Sequence, residues 1–365
     1  MIKILNVVGV RPNFIKIAPL LEEMRSVDSI SPLLLHTGQH YDGFMSDSFF
    51  RNLDIQEPDI DLGVSSESSI RLIAEIMIRA EAYLNETRPD LIVLVGDANS
   101  TLAMALVGNK MNIPIAHIEA GLRSRNFKMQ EEYNRIITDR FSELLFTPTG
   151  ADFENLLDGG IDREKIFFVG NIMIDSLLKN MEKASDNKEI LQNLNIKKQY
   201  ALITLHRPEC VDIPKVFNGV LNAFGHIQNE IALIWALHPR TKKNIEKFNF
   251  QNKIDSMPNL KIIEPVGYLD MLVLMKSASF VMTDSGGVQE ETTALRVPCL
   301  TLRDETERPI TTITGTNKVV GMNASDIINS AEILIADNTI NSEIPPLWDG
   351  KAAKRIVDII LAWSN

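Results

Sequence analysis

Cysteine is almost missing from this 365-residue sequence, with Cys210 and Cys299 the only two. Neither sits at a metal-ligand spacing, and two isolated cysteines make no disulfide framework. Both are expected to pack as small apolar side chains in a reducing compartment. Long hydrophobic runs are missing too. No stretch of about 18 apolar residues occurs, so no membrane span is expected. Met1–Gly9 turns polar too soon for a signal peptide, and a cytoplasmic protein is expected. Positive charge is in deficit: 37 Lys and Arg face 48 Asp and Glu, for a net charge of −11. That balance argues against duplex nucleic acid as a partner, because phosphates must be neutralised by cations. A small anionic ligand is not excluded, since a few local cations and backbone N–H groups can hold a phosphate. Neither the dinucleotide fingerprint nor the P-loop pattern is present, which removes the usual support for NAD and ATP-phosphoryl chemistry. No metal and no cofactor are expected.

What remains is ordinary globular composition, 45% hydrophobic and 23% charged. The length suits two domains. Short apolar runs rich in β-branched residues alternate with helix-length segments, the pattern of parallel α/β architecture. Strands are expected at Ile2–Val8, Leu33–His36, Leu91–Val95, Ile115–Ile118 and Leu144–Thr147. The second half repeats the theme at Tyr200–Leu205, Leu233–Leu237, Leu260–Ile263, Phe280–Thr283 and Cys299–Leu302. Lys179–Lys198, dense in charge and poor in strand formers, marks the junction. Two Rossmann-like doubly wound domains are therefore expected, residues 1–178 and 199–350, with a cleft between them. Residues 351–365 read as an amphipathic helix, Ile356, Ile359, Ile360 and Trp363 lying on one side. In doubly wound sheets, ligands settle beyond the carboxyl ends of the strands.

The polar residues just after strands are the candidates for chemistry. Asp284-Ser285-Gly286-Gly287 follows an apolar strand and opens a helix at Val288-Gln289-Glu290-Glu291. Glycines let a ligand approach, and the N–H groups of a helix start suit a diphosphate; the plain alternative is a capped turn. Glu290 or Glu291 could accept ribose hydroxyls, or simply favour the helix dipole. Arg11 after Gly9-Val10, with Lys16 on the next helix, could clamp phosphate oxygens or stay solvated. Asp59-Ile60-Asp61 is assigned to a loop. Asp97, Glu119 and Glu131 gather near neighbouring strand ends, where crowded acids raise one another's pKa and can trade protons. The structural alternatives are helix capping by Asp97 and ion pairs with Arg123 or Arg135. His206 and His238, two of only six histidines, close successive strands of the second half. Arg303–Pro309 is a charged run that serves either as a solvated loop or as a clamp on a nucleotide.

These pieces stand in a recognisable order. Gly9-x-Arg11-Pro12 with Lys16, Thr37-Gly38-Gln39-His40, Gly96-Asp97, His117-x-Glu119-Ala120-Gly121-Leu122-Arg123 and Glu131-Glu132-x-Asn134-Arg135 resemble the non-hydrolysing UDP-N-acetylglucosamine 2-epimerases. So do Gly170-Asn171, His206-Arg207, Thr283-Asp284-Ser285-Gly286-Gly287-x-Gln289-Glu290-Glu291, Arg303-Asp304-x-Thr306-Glu307-Arg308-Pro309 and Gly350-Lys351-Ala352. The resemblance covers essentially the whole chain. It implies a glycosyltransferase-B-like fold, a homodimer, and a C-terminal helix packing back on the first domain. It also implies proton transfer by Asp97, Glu119, Glu131 and His206. Arg11, Lys16, Arg135, His238, Ser285, Gly286, Gly287, Glu291 and Arg308 are implied to hold UDP and the sugar. The chain departs from the family pattern at Val10, Asn13, Gln130, Pro208 and Met271. Asp42 and Ser65–Ser69 lack glutamines tied to the allosteric substrate site of bacterial members, which argues against activation by substrate.

The implied reaction inverts C2 of a UDP-linked N-acetylamino sugar. That C–H is not next to a carbonyl, so direct deprotonation is closed. Departure of UDP from C1 instead acidifies C2–H and leads to a 2-acetamidoglucal, which is reprotonated on the other face. The scheme needs donors for the departing diphosphate and acid/base groups on both faces of the sugar. Its rivals are an epimerase of a modified UDP-sugar, a hydrolysing epimerase, a UDP-sugar glycosyltransferase and a catalytically silent nucleotide-sugar sensor.

Overall fold

Residues 1–38, 57–185, 189–196, 198–337 and 342–364 are described in the computed structural model; Gln39, His40 and Asp42 lie outside them. The chain divides into two compact units, Met1–Ser176 with Pro346–Asn365, and Leu177–Pro345.

The first unit carries seven strands: β1 (Ile2–Val8), β2 (Ile30–His36), β3 (Ile60–Asp61), β4 (Leu91–Val95), β5 (Ile115–Ile118), β6 (Leu144–Thr147) and β7 (Ile166–Phe168). They pair in parallel in the order β3-β2-β1-β4-β5-β6-β7. The order reverses between β1 and β4, which makes a crevice at their carboxyl ends. Every residue of Leu-Ile-Val-Leu-Val in β4 is buried, as a central parallel strand covered on both faces requires.

The second unit repeats the arrangement with six parallel strands: β8 (Tyr200–Thr204), β9 (Ala232–Ala236), β10 (Leu260–Ile263), β11 (Phe280–Thr283), β12 (Cys299–Thr301) and β13 (Asn317–Val319). Their order is β10-β9-β8-β11-β12-β13, with the reversal between β8 and β11. Trp235 on β9 anchors the core, meeting Phe217 and Phe224 edge-on at 6.3 and 5.5 Å between ring centroids.

The expected doubly wound α/β class is present in both units. Three short strands, β3, β7 and β13, were not legible. Asp59-Ile60-Asp61, expected in a loop, places Ile60 and Asp61 on β3 at the sheet edge. β2 begins at Ile30 rather than Leu33, because Pro32 is accommodated opposite Ile4 within the strand. Cys210 and Cys299 are both free and buried, and burial pushes the Cys299 thiol up to about 12. Among the described residues no helix is long and apolar enough to cross a membrane.

The final helix, Ala352–Ser364, belongs to the first unit. Asp175 accepts its Ala352 and Ala353 N–H groups at 3.1 and 2.8 Å. Trp348, just upstream, donates its indole N–H to the Pro148 carbonyl at 3.2 Å.

Candidate functional site

The crevice of the first unit is built around Gly96, which follows β4 at φ +73°. A Cβ on it would lie within 4.0 Å of the Asn13 amide, the Glu119 carboxylate and the Lys16 ammonium. Asn13 ties the turn together: its oxygen accepts the Gly9 and Val10 N–H groups at 3.2 and 3.1 Å, and its amide donates to the Val95 carbonyl at 3.1 Å. The sequence showed Asn13 only as a departure from a family pattern; the structure shows it fastening β1 to β4.

Each of two candidate acids has its own cation. Glu119, buried at φ +66°, lies 2.7 Å from Lys16. Asp97 receives both Nε and Nη2 of Arg135 on one oxygen, at 2.9 and 2.6 Å. Beside the expected crowding of acids, the structure thus shows a cation on each of these two carboxylates. Lys16 and Arg135, expected on the ligand, are engaged with these acids. Glu131 stands half-buried in the first turn of the helix Gln130–Phe141. Its neighbour Glu132 is buried and structural, accepting the Ser124 and Arg125 N–H groups at 2.9 Å each and Nη1 of Arg135 at 2.7 Å. Burial acts to raise its pKa, but those backbone donors, the Ser124 hydroxyl and Arg135 outweigh it and the net shift is downward.

Behind this layer His117 holds the same peptides. Its Nδ1 lies 2.7 Å from Asp139 and its Nε2 2.9 Å from the Gly96 carbonyl, while Arg123 closes on Asp139 at 2.7 Å. Arg123 thus pairs with Asp139. Arg11 opens the helix Arg11–Arg25 half-buried, and burial lowers its pKa.

The crevice of the second unit lies between the ends of β8 and β11. Asp284 is fully buried, and one of its oxygens accepts the N–H groups of His206 and Arg207, both at 2.7 Å. Ser285 and Gly286 then start the helix Gly286–Leu295, and the Ser285 side chain caps none of its N–H groups. A Cβ on Gly286 would meet a Glu307 oxygen at 2.6 Å, so any larger residue would have to displace that carboxylate. Gly287 follows, partly exposed. His238 is the N-cap of the helix Pro239–Lys247, with its Nδ1 accepting the Arg240 N–H at 3.2 Å. Burial first, then His206 and Arg240, lower its pKa against the opposing pull of Asp284.

The run Arg303–Pro309 is not a solvated loop. Arg303, Glu307 and Arg308 are 2%, 3% and 8% exposed. Glu307 meets Arg303 at 2.8 Å and Arg207 at 3.7 Å. Burial would raise its pKa, but Arg308, Arg303 and Arg207 hold it down at about 2. Arg308 meets Glu290 at 2.7 Å, so Glu290 faces an arginine. Glu291 accepts the Tyr268 hydroxyl at 2.8 Å. No sequence signal pointed to Tyr268. Among the described residues no cluster of His, Cys, Asp and Glu suits a metal ion.

Each unit by itself gathers polar and cationic side chains at its sheet reversal, an arrangement that suits a small anionic ligand. Comparison with known proteins agrees with that reading. The family model described as UDP-N-acetylglucosamine 2-epimerase matches residues 22–361. A Methanococcus maripaludis protein named a UDP-N-acetylglucosamine 2-epimerase homolog is 44% identical, over 98% of this chain and 99% of its own. A Pseudomonas aeruginosa protein named UDP-2,3-diacetamido-2,3-dideoxy-D-glucuronate 2-epimerase is 37% identical, over 98% of this chain and 99% of its own. The crystal structure of Methanocaldococcus jannaschii UDP-GlcNAc 2-epimerase, in complex with UDP-GlcNAc and UDP, superposes with a TM-score of 0.92 at 40% identity, covering 99% of this chain and 100% of that one. The chain belongs to the UDP-N-acetylglucosamine 2-epimerase family.

Proposed function

We propose that this protein interconverts UDP-N-acetylglucosamine and UDP-N-acetylmannosamine without releasing free sugar, acting as a cytoplasmic homodimer with no cofactor. The observation that carries the reading is the pairing at the second-unit crevice: a histidine seated on a buried carboxylate, next to an uncapped Ser-Gly-Gly helix start. Diphosphate binding at that helix start, aided by Arg308 and His238, stabilises the charge that develops as UDP leaves C1. Glu291, which accepts the Tyr268 hydroxyl, is the group assigned to the ribose hydroxyls.

The C1–O bond breaks with its electron pair passing to UDP, and a base takes the C2 proton, leaving the 2-acetamidoglucal. A proton then adds to C2 from the opposite face and UDP re-forms its bond to C1. Asp97, Glu119, Glu131 and His206 are the groups assigned to these transfers. Lys16 and Arg135 serve the acids directly, orienting Glu119 and Asp97 through contacts at 2.7 and 2.6 Å. The second unit is assigned to UDP and, through His206, to one proton transfer; the first carries the acids Asp97, Glu119 and Glu131, with residues 351–365 as its support.

The decisive experiment is proton NMR of UDP-N-acetylglucosamine with the enzyme in deuterated water. The expected result is a UDP-N-acetylmannosamine signal with deuterium at C2. Free N-acetylmannosamine plus UDP would replace this reading with a hydrolysing enzyme. A second reading, epimerisation of a UDP-sugar bearing further acetamido groups, is favoured by the Pseudomonas aeruginosa relative. Deuterium entry into such a substrate, and not into UDP-N-acetylglucosamine, would select it.

A further inference from the structure

We propose that Asp284 is the positioning residue of His206: its buried carboxylate holds the ring with the proton on Nδ1, so that Nε2 is the atom that exchanges protons, while the neighbouring His238 stays a neutral donor. Only the reaction rests on the epimerase reading; the tautomers stand on the geometry of the second unit.

One oxygen of Asp284 is fixed by the His206 and Arg207 backbone N–H groups, both at 2.7 Å. This anchors the carboxylate against the turn after β8. The other oxygen, Oδ1, lies 3.1 Å from His206 Nδ1 and accepts no hydrogen bond from elsewhere. The contact has the distance of an ion pair with incomplete hydrogen-bond alignment, of the kind that tightens when a ligand binds. When this contact closes into a hydrogen bond, the carboxylate accepts and Nδ1 carries the hydrogen. The His206 side chain keeps 38% of its surface exposed, while Asp284 keeps none. Nε2 then bears a lone pair in the neutral ring and a proton in the cation, which suits both directions of a reversible proton transfer.

His238 is held in the opposite state. Its Nδ1 accepts the Arg240 N–H, so the lone pair is there and the hydrogen sits on Nε2. The two ring centroids are 5.3 Å apart, and two cations that close repel each other. Of these two rings, among the described residues, His206 is the one at ion-pair distance from a carboxylate, although Asp284 also pulls on His238. Cys210 does not compete for the proton: burial, Asp284 and Glu209 keep its thiol protonated. The side chain of Arg207 turns to Glu307, 3.7 Å away.

Asp284→Asn is the test. Its amide oxygen can still accept both backbone N–H groups, but its NH2 now faces Nδ1, which must become the acceptor. Two-bond nitrogen–proton NMR on the full-length 15N-labelled protein, with His206 assigned by its loss in His206→Gln, reads the tautomer directly. The expected result is hydrogen on Nδ1 in the wild type and on Nε2 in Asp284→Asn. Turnover of Asp284→Asn should fall about 10³–10⁴-fold with UDP affinity within about threefold, the size known for a wrong-tautomer histidine. Asp284→Glu, which keeps a carboxylate, should recover part of kcat. Hydrogen on Nε2 in the wild type overturns the proposal without any variant. So does an unchanged kcat in a folded Asp284→Asn that shows the switched tautomer. If the wild type shows the expected tautomer but turns over no UDP-sugar, the orientation is upheld and the epimerase reading fails.

Discussion

Glu307 carries its charge because three arginines surround it, against a burial that favours the neutral acid. Its folded pKa, about 2, lies below the ordinary 4.5. The stability it contributes is therefore complete above pH 4.5 and is lost as pH falls through about 2. Glu307→Gln removes the carboxylate that Arg303 and Arg207 face and should cost roughly 3–5 kcal/mol near neutrality. In melts followed by circular dichroism, the gap from wild type should narrow below about pH 4; a constant gap would show that the charge is not what matters. Gly286→Ala pushes a methyl into that same carboxylate. It should destabilise by about 1–3 kcal/mol and weaken UDP binding in calorimetry. Asp97→Asn keeps the shape but loses the charge opposite Arg135, so turnover should drop about 10²–10⁴-fold with UDP affinity retained. Unchanged turnover would remove Asp97 from the mechanism. At this scale the sequence exposed the candidate residues, because polar side chains directly after buried strands stand out from the apolar runs they follow. Their partners were hidden: Lys16 and Glu119 are 103 positions apart, and no local pattern links them.

Among the elements, the last helix depends on a residue far from it in sequence. Asp175 accepts the first two N–H groups of Ala352–Ser364 from 177 and 178 positions away. Asp175→Ala should cost about 1–2 kcal/mol and speed hydrogen exchange in that helix. Burial raises the Asp175 pKa from 3.8 to about 6, overcoming the two N–H donors. Its contribution is thus present below 3.8 and lost as pH rises through about 6. Asp175→Asn should remove that decline, and an identical pH–stability slope in the variant would count against it. Hydrophobic runs revealed the long strands but not β3, β7 and β13. Two or three residues cannot display a period; β12 is as short but was read from the longer run Cys299–Leu302.

Across the whole molecule, each unit places its candidate residues where its own strand order reverses. If the second unit holds the nucleotide, UDP at about a hundred times its Kd adds ~2.7 kcal/mol to the stability of what it binds. Hydrogen exchange should then slow most around Thr283–Arg308, with little change in β4; equal protection of both would overturn the division of labour. Light scattering should return twice the chain mass, and a monomer would rule out the dimer.

The two-domain parallel α/β class and the strand-end candidates were determined by the amino-acid sequence alone, because burial on both faces of a central strand writes itself as an unbroken apolar run. Which acid meets which cation was decided only by the tertiary structure. Ion pairs act over a few ångströms of space, and the chain brings Lys16 to Glu119, Arg135 to Asp97 and Asp284 to His206 only once the sheets have formed.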